Sequence, residues 1–510
     1  MKALTAEPLP YLESPVQDSQ EFFCFDLPTK PWPGTGKILV TGASGYIGGR
    51  LVSELLARGY RVRVMVRGAP ASNRNLWPDA EMVIADATDP VQLRRALEGV
   101  DTAYYLIHSL RLCPKDAPSS DLKAASAFRT AAEEKQIKRI IYLGGLGDVR
   151  NPFSPHLGGR MEVAKELRRG TIPVTVLRAA LIIGSGSASY EIISHLVKKL
   201  PIIFVPPWAK NRLQPIGIRD VIKYLVGSLE VPETAGKDFE LGGPDILTFE
   251  QMLRILADVL NSKTFFIPFF FSYLPLYTYP LSLLTPVPNT ITQCLMEGLK
   301  NEVVVRDNSI KRFVPFEPIS YREAIIRAMS REEQDRVHTR WSDAYPPAHV
   351  LAVKLHELHG QVAYGARYSL LTPKGSADLF RSICRIGGKE GWFHGNWMWR
   401  TRGMLDRILL GVGSIRGRKS PTYLEINDVV DFWRVEDLKQ AERLLLRAEM
   451  KLPGMAWLEF HIREEEGQQR LSVVAYYDTH TLFGRIYWYL FLPFHHFLFK
   501  NLLKEIEKRS

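Results

Sequence analysis

A chain of 510 residues is longer than one ordinary hydrophobic core can organise, so we expect two or three domains. Its 46% hydrophobic and 24% charged residues are typical of a soluble globular protein and do not fit a fibrous or disordered chain. The net charge of +11 favours an anionic partner, such as a phosphorylated cofactor or an acidic membrane surface, and without a recognition motif we expect no nucleic acid.

The N-terminus and the cysteines bear on the compartment. Residues 1–35 are polar and broken by prolines, so we interpret them as an extension and not as a secretory signal. The four cysteines lie far apart without C-x-x-C spacing, which is typical of a reducing cytoplasm and predicts no metal site. We therefore expect a cytoplasmic protein, with peripheral contact to a membrane as an open alternative.

From Lys37 the sequence alternates between strand-like and helix-like segments. The runs "KILVTG", "YRVRVMVR", "AEMVIADA", "VDTAYYLIHS", "KRIIYLGGLG" and "VTVLRAALIIG" predict strands, the first of them buried. Helices are predicted over "GYIGGRLVSELLARG", around Asp121 to Lys135 and from about Pro155. This order implies right-handed crossovers, so the predicted fold class is α/β, a Rossmann-type doubly wound parallel sheet over residues 36–330.

A substrate-side subdomain is expected over about 185–330. Helices are predicted for "QPIGIRDVIKYLVGSLE" and "TFEQMLRILADVL". Beyond them, residues Thr264 to Met296 contain no charged side chain, but five prolines would interrupt a membrane-spanning helix. We expect buried loops and short helices there, or an apolar opening that binds an apolar ligand or contacts the bilayer.

The last third of the chain has a different pattern. Residues 331–349 form a charged linker, and residues 350–510 predict an α+β domain in which a sheet wraps a long helix. Strands are predicted for "ARYSLLT", "RLLLRAEMK", "AWLEFHIRE" and "RLSVVAYYD", and a helix for "KGSADLFRSICRIGG". A closing helix beginning at Pro493 would place Phe494, Leu498, Leu502 and Ile506 on one face.

The run "LVTGASGYIGG" predicts a dinucleotide site. Gly42 permits a tight turn, Gly45 lets the backbone approach a pyrophosphate, and Gly48 lets the following helix pack closely. The predicted cofactor-binding residues of this loop are Gly42, Ala43, Ser44, Gly45, Tyr46, Ile47 and Gly48.

The end of the second strand indicates which dinucleotide is bound. An acidic residue there suits NAD(H), whereas an arginine suits the 2′-phosphate of NADP(H). Arg67 stands at this point with no acid nearby, so NADP(H) is expected to be preferred over NAD(H). Asp86 and Ala87, after the third strand, are placed to meet the adenine, although an aspartate there would also suit a helix cap.

The runs "TGASGYIGGRLVSELLARGYRVRVMVR", "IADATD", "IIYLGG" and "VTVLRAALIIG" resemble the atypical short-chain dehydrogenase/reductase family over roughly Lys37 to Met329. That group includes nitrogen-repressor-like cofactor sensors and an accessory subunit of respiratory complex I. The C-terminal part, with "GWFHGNWMWR" and "YWYLFLPFHHFLF", resembles a domain of unknown function that is fused to such proteins. It is similar to the helix-grip (SRPBCC) superfamily, whose members often bind apolar ligands.

The resemblance also locates the expected catalytic residues. Typical members use a tyrosine as the general acid, a lysine four residues later and a serine after the fifth strand. In this sequence His156 and Arg160 occupy the first two places, and Gly144 and Gly145 stand where the serine is expected. An arginine does not share its proton near neutral pH, whereas a histidine titrates there, so His156 and Arg160 are the candidate catalytic pair. His156 would otherwise be an ordinary helix N-terminal residue.

Other polar and aromatic side chains are further candidates for a functional role. His108 is a second candidate acid, and Ser185, Ser187 and Ser189 are placed to line the nicotinamide side. The aromatic residues of "GWFHGNWMWR" would line a cavity for a lipid-like ligand or pack a small core. Arg416 to Lys419 and the run "IYWYLFLPFHHFLF" would together suit a membrane surface.

Three functions fit these observations. The first is an NADPH-dependent oxidoreductase that acts on an apolar small molecule. The second is a non-catalytic NADP(H)-binding sensor or assembly factor, because the tyrosine, serine and lysine are missing. The third is a lipid-binding or transfer protein with a regulatory Rossmann domain.

Overall fold

The computed structural model describes residues 22–66, 77–108, 117–147, 155–285, 287–330, 355, 363–388, 390–413, 423–426 and 428–510. The strands up to residue 330 are β1 (Lys37–Val40), β2 (Arg61–Val66), β3 (Glu81–Ile84), β4 (Thr102–Tyr105), β5 (Arg139–Gly145), β6 (Val174–Ala179), β7 (Ile182–Ile183), β8 (Ile202–Val205), β9 (Arg212–Leu213), β10 (Ile216–Gly217), β11 (Asp238–Leu241), β12 (Leu247–Thr248) and β13 (Phe265–Pro268). The α-helices of this part are α1 (Tyr46–Ala57), α2 (Pro90–Ala96), α3 (Ala117–Glu134), α4 (Pro155–Arg168), α5 (Ala188–Lys199), α6 (Ile218–Glu230), α7 (Phe249–Val259), α8 (Pro275–Leu284), α9 (Asn289–Gly298), α10 (Ile310–Phe313) and α11 (Tyr321–Met329). Short 3₁₀ helices cover Pro207–Lys210 and Pro232–Thr234.

Seven of these strands form one parallel sheet in the order β11-β6-β5-β4-β1-β2-β3. Side chains alternate across it, as a strand requires. Ile38 and Val40 of β1 pack with α1 and α6, whereas Leu39 packs on the opposite face with α2 and α3. Both faces are therefore covered by helices, and the predicted doubly wound α/β fold is confirmed.

The substrate-side subdomain has its own core, which α5, α7, α9 and α11 supply. Strand β13 pairs with β8 in parallel, outside the main sheet. The expectation that the apolar run after Thr264 is buried is wrong for its first half, since Phe270 is 82% exposed and Tyr273 70% exposed. Among the described residues, no helix combines the length and apolar character needed to cross a bilayer.

The C-terminal domain is an antiparallel sheet with a long helix packed against it. Its strands are β14 (Tyr364–Thr372), β15 (Val429–Val430), β16 (Trp433–Lys439), β17 (Arg443–Ala448), β18 (Met455–Glu465) and β19 (Gln468–Asp478). Its helices are α12 (Ser376–Ile383), α13 (Asn396–Ile408) and α14 (Leu482–Lys508). The strand order is β14-β19-β18-β17-β16-β15. The narrower helix-grip (SRPBCC) assignment stays a prediction.

Helix α14 begins eleven residues before the predicted start at Pro493, which lies inside it. The Thr481 hydroxyl accepts a hydrogen bond from the Gly484 amide at 3.1 Å and provides the true N-terminal cap. Leu498, Leu502 and Ile506 are buried as predicted. Phe494, expected on the same face, is 49% exposed, so that part of the prediction is wrong.

The two domains contact each other through α8 and α13. The Tyr279 hydroxyl donates to the Ile408 carbonyl at 3.3 Å, and the Arg407 guanidinium donates to the Val287 carbonyl at 3.5 Å.

Cys294, in α9, is buried and disulfide-bonded. The wide spacing of the cysteines did not indicate this bond, because tertiary folding and not sequence separation brings thiols together.

Candidate functional site

The glycine loop after β1 is held against the end of β4. The Thr41 hydroxyl donates to the Tyr104 carbonyl and accepts from the Leu106 amide, both at 3.0 Å. Gly42 follows with a φ of +64°, and a Cβ on it would lie 2.7 Å from the Leu106 carbonyl oxygen. Only glycine fits here, because both the backbone angle and the space exclude a side chain.

The third glycine of the loop allows the helix to approach the strand. A Cβ on Gly48 would lie 2.3 Å from the Gly42 carbonyl oxygen, and the Gly45 amide donates to that same oxygen at 2.9 Å. Helix α1 starts at this point with no side-chain cap and no acidic residue in its first turn. Its amide groups and positive dipole end are thus left for an anion, so the loop fits a dinucleotide pyrophosphate.

The loop after β7 meets the first turn of α1. The Arg50 guanidinium donates to the carbonyls of Tyr46 and Ser185, both at 2.9 Å, and stacks on the Tyr46 ring. A Cβ on Gly184 would lie 2.5 Å from the Tyr46 hydroxyl oxygen. Ser185 is buried beside this contact, whereas Ser187 caps α5 by accepting from the Tyr190 amide at 3.1 Å. Ser187 therefore has a structural role.

The predicted adenine side is only partly described, because Arg67 lies outside the described residues. The Asp86 carboxylate accepts from the amide and the hydroxyl of Thr88, at 2.7 Å and 2.6 Å. The cap of α2 is Asp89, which accepts from the Val91 amide at 2.8 Å. Asp86 thus shapes its own turn and does not cap the helix, and Ala87 beside it is buried.

A polar cluster lies where β4 and β5 end. The His108 Nδ1 lies 3.8 Å from an Asp121 carboxylate oxygen. Burial lowers the pKa of His108, and Arg160 lowers it further, while Asp121 opposes both effects. The imidazole is therefore neutral near pH 7. The sequence did not reveal Asp121 as a partner, because it lies on α3 and only the fold brings it to β4.

Arg160 is tied to the same strand end. Its guanidinium donates to the Leu143 carbonyl at 2.9 Å, and the Tyr142 hydroxyl donates to the Arg160 carbonyl at 3.1 Å. A Cβ on Gly144 would lie 3.2 Å from the Tyr142 ring, so a serine at this place would be crowded. Arg160 thus supplies a fixed positive charge where β5 ends.

Position 156 lies in the first turn of α4, four residues before Arg160. Residues four apart in a helix share one face, so positions 156 and 160 lie on the same face of α4. The side chain of His156 lies outside what the structure describes. The structure therefore brings together Arg160, His108 and Asp121, and it leaves the role of His156 as a prediction.

A cleft of about 240 Å³ opens at the carboxyl end of β5. Its lining residues are Leu146, Gly147, Arg212, Glu240, Glu302, Val303, Val304 and Arg306. Arg212 and Glu302 form an ion pair at 2.6 Å, and Glu240 accepts from the Arg306 amide at 2.7 Å. Four of the eight lining residues are thus charged, and the lining comes from four separate stretches of chain.

The aromatic cluster of the C-terminal domain is largely core. Trp392 is 1% exposed, stacks on Trp399 at a centroid distance of 4.2 Å and donates its indole N–H to Asp431 at 2.8 Å. Trp397, in contrast, is 68% exposed. Within the described part of the chain, no group of three or more metal-ligating side chains is found.

Two protein-family models match parts of this chain. Residues 34–279 match the NmrA-like family, and residues 358–502 match DUF2867, a protein family of unknown function. Both matches fall within the two domains seen in the structure.

Individual relatives are more distant. The chain is 24% identical to the mitochondrial "NADH dehydrogenase [ubiquinone] 1 alpha subcomplex subunit 9" of Arabidopsis thaliana, over 53% of this chain and 71% of that protein. It is also 24% identical to "Photosystem II assembly factor Ycf39" of Trieres chinensis, over 40% of this chain and 63% of that protein. Among solved structures, triphenylmethane reductase of Citrobacter sp., complexed with NADP(H), is 19% identical with a TM-score of 0.48, covering 57% of this chain and 100% of that one.

Proposed function

We propose that this chain, whose N-terminal domain is an NmrA-like NAD(P)-binding domain of the atypical short-chain dehydrogenase/reductase type, is an NAD(P)H-dependent oxidoreductase acting on an apolar small molecule. The observation that carries the proposal is the glycine loop, in which Gly42 and Gly48 have no room for a Cβ. The end of β4, which this loop contacts, leads directly to His108 and to the neighbouring Arg160. The backbone that we propose binds the cofactor and the titratable side chains thus lie at one edge of the sheet.

A bound dinucleotide would supply the hydride. The loop and the N-terminus of α1 would hold its pyrophosphate, and Ala87 beside Asp86 would meet the adenine. The Arg160 guanidinium stabilises negative charge that develops on the substrate oxygen. His156, one helical turn away, donates the proton, and neutral His108 supports the hydrogen-bond network.

The preference for NADP(H) rests on Arg67. Arg67→Ala is expected to weaken NADPH binding about 10- to 100-fold, because a charge-assisted hydrogen bond to the 2′-phosphate is lost, and to leave NADH binding unchanged. Arg61→Ala is the matched control, since Arg61 is exposed at the opposite end of β2. Isothermal titration with both nucleotides measures the effect. Equal losses for NADPH and NADH, or tighter binding of NADH by the wild-type protein, would contradict it.

The apolar character of the substrate is proposed from the subdomain that borders the cleft. Phe265, Phe270 and Phe271 are all more than half exposed there. The Arg212 and Glu302 pair at the cleft suits a polar head carried by such a molecule. Peripheral contact with a membrane, the natural reservoir of apolar substrates, belongs to the same proposal.

A specific observation also favours the second candidate function, a non-catalytic NADP(H)-binding sensor or assembly factor. The Arg160 guanidinium is engaged by the Leu143 carbonyl, and Gly144 stands where a carbonyl-orienting serine is expected. A binding site with these features retains cofactor affinity without a complete acid–base set.

One experiment separates the two functions. The purified chain is mixed with NADPH and a panel of apolar carbonyl compounds and quinones in mild detergent, and absorbance at the nicotinamide band is followed. Oxidation that depends on one class of substrate is the expected result. Tight NADPH binding without turnover across the panel would reject the oxidoreductase and favour the sensor.

A further inference from the structure

Most of the exposed large apolar side chains in the described part of the chain lie in three segments. Together we name these segments the apolar face. The first comprises β8 and residues 265–279, the second α13 with residues 409 and 410, and the third the N-terminal half of α14. Its exposed side chains are Ile202, Phe204, Phe265, Ile267, Phe270, Phe271, Tyr273, Leu276, Tyr279, Trp397, Met404, Leu405, Ile408, Leu409, Leu410, Leu482, Phe483, Ile486, Tyr489, Leu490, Phe494 and Phe497.

The exposed apolar residues of α14 follow helical spacing. Phe483, Ile486, Leu490, Phe494 and Phe497 recur every three or four residues, so they form one stripe about 20 Å long. The opposite side of the helix is buried in the C-terminal domain. The helix is therefore anchored by one face and presents the other to its surroundings.

The three segments are contiguous. Phe204 lies against Phe269 at a centroid distance of 5.4 Å, and the Tyr277 hydroxyl of α8 donates to the Phe271 carbonyl. Tyr279 joins α8 to the end of α13 through the Ile408 carbonyl. His394, just before α13, packs on Phe497 of α14 at 5.3 Å. One apolar surface thus crosses from the substrate-side subdomain to the C-terminal domain.

The charges within the apolar face have a single sign. Residues 264–296, 391–413 and 481–501 contain no exposed acidic side chain, and Asp406, the one acid among them, is fully buried. The exposed basic residues within or near the three segments are Lys198, Lys199, Lys263, Arg400, Arg485 and Lys500, whereas the exposed Glu390, just before residue 391, is paired with Arg385. A broad apolar surface with exposed tyrosines, a tryptophan and a basic border has the composition of a peripheral membrane surface.

We propose that the apolar face docks the chain on an anionic lipid bilayer, with its aromatic and aliphatic side chains in the interface and its basic side chains against the lipid phosphates. A second copy of the chain fits less well, because a symmetric dimer would bring two basic borders together. The inference deepens the membrane contact in the proposed function and does not depend on the redox chemistry. Arg416 to Lys419, which the sequence suggested for a membrane patch, lie outside the described residues.

The test is flotation of the full chain, without nucleotide or substrate, with phosphatidylcholine vesicles that contain or lack phosphatidylglycerol. We expect binding to the anionic vesicles, reduced by high salt. Phe483→Glu with Leu490→Glu, and separately Arg485→Glu with Lys500→Glu, should each weaken this binding at least about tenfold. Val91→Glu is the matched control, because Val91 is an apolar side chain that is 66% exposed on α2, away from the apolar face.

Wild-type binding by both double variants would overturn the proposal. So would a wild-type dimer in size-exclusion chromatography that Phe483→Glu with Leu490→Glu splits, without any vesicle binding. If circular dichroism shows that this apolar variant is unfolded, the basic variant, whose side chains are exposed, decides the question. Turnover is measured separately in detergent, so failure of vesicle binding and failure of the reductase activity are distinguishable.

Discussion

His156→Ala is expected to lower kcat about 10²- to 10⁴-fold, the usual contribution of a positioned general acid, and to leave NADPH affinity unchanged. The reason is the position of residue 156 in α4. Position 156 lies four residues before Arg160, whose guanidinium is fixed at the end of β5 by the Leu143 carbonyl. A proton donor there would stand beside the charge that stabilises the substrate oxygen. Steady-state turnover and a separate NADPH titration measure the two quantities.

Two further histidines make the experiment decisive. His480→Ala is the matched control, because the His480 side chain is 94% exposed in the C-terminal domain, and it should turn over like the wild type. His108→Ala tests the alternative donor and is expected to have the smaller effect, since burial lowers the pKa of His108 and leaves little imidazolium at pH 7. A larger loss in His108→Ala than in His156→Ala would assign the proton to His108.

The second large effect concerns the phosphate loop. In Gly48→Ala the new Cβ would lie 2.3 Å from the Gly42 carbonyl oxygen, so the loop or α1 must shift. Overpacking of this kind costs about 1–3 kcal/mol. This cost destabilises the loop conformation that we propose binds the pyrophosphate. We expect NADPH and NADH to bind about 10- to 100-fold more weakly, with equal factors for both.

Gly298→Ala provides the comparison, because a Cβ at this helical glycine meets no neighbouring atom within 4 Å. Both variants are followed by nucleotide titration, with thermal unfolding in the absence of nucleotide as the measure of folding. Wild-type affinity in Gly48→Ala would show that the pyrophosphate does not bind at this loop. A loss of affinity for NADPH but not for NADH would instead show that the substitution acts at the 2′-phosphate.

Local chemistry explains what could be predicted from the sequence. The glycine spacing after β1, the six strands predicted up to residue 184 and the amphipathic α6 and α7 each depend on neighbours within a few residues, and all are seen in the structure. Strand β16 was missed, because "DFWRVEDLK" mixes apolar and charged residues without strict alternation. The start of α14 was misplaced, because a proline commonly opens a helix and here lies within one.

The candidate site was predictable only where one segment forms it. The loop residues and the positions of His156 and Arg160 follow from a single stretch each. The approach of Asp121 to His108, the engagement of Arg160 by the Leu143 carbonyl and the charged cleft all join distant segments. No local pattern encodes such contacts, so the structure was needed to find them.

The Thr41 hydroxyl has a consequence beyond holding two strands together. It joins the glycine loop to the backbone at Tyr104 and Leu106, and His108 follows two residues later on the same strand end. A nucleotide that binds this loop would therefore act on a backbone that is hydrogen-bonded to the segment carrying His108. Thermodynamic linkage is reciprocal. If nucleotide binding changes the proton affinity of His108, then protonation of His108 changes the nucleotide affinity by the same factor.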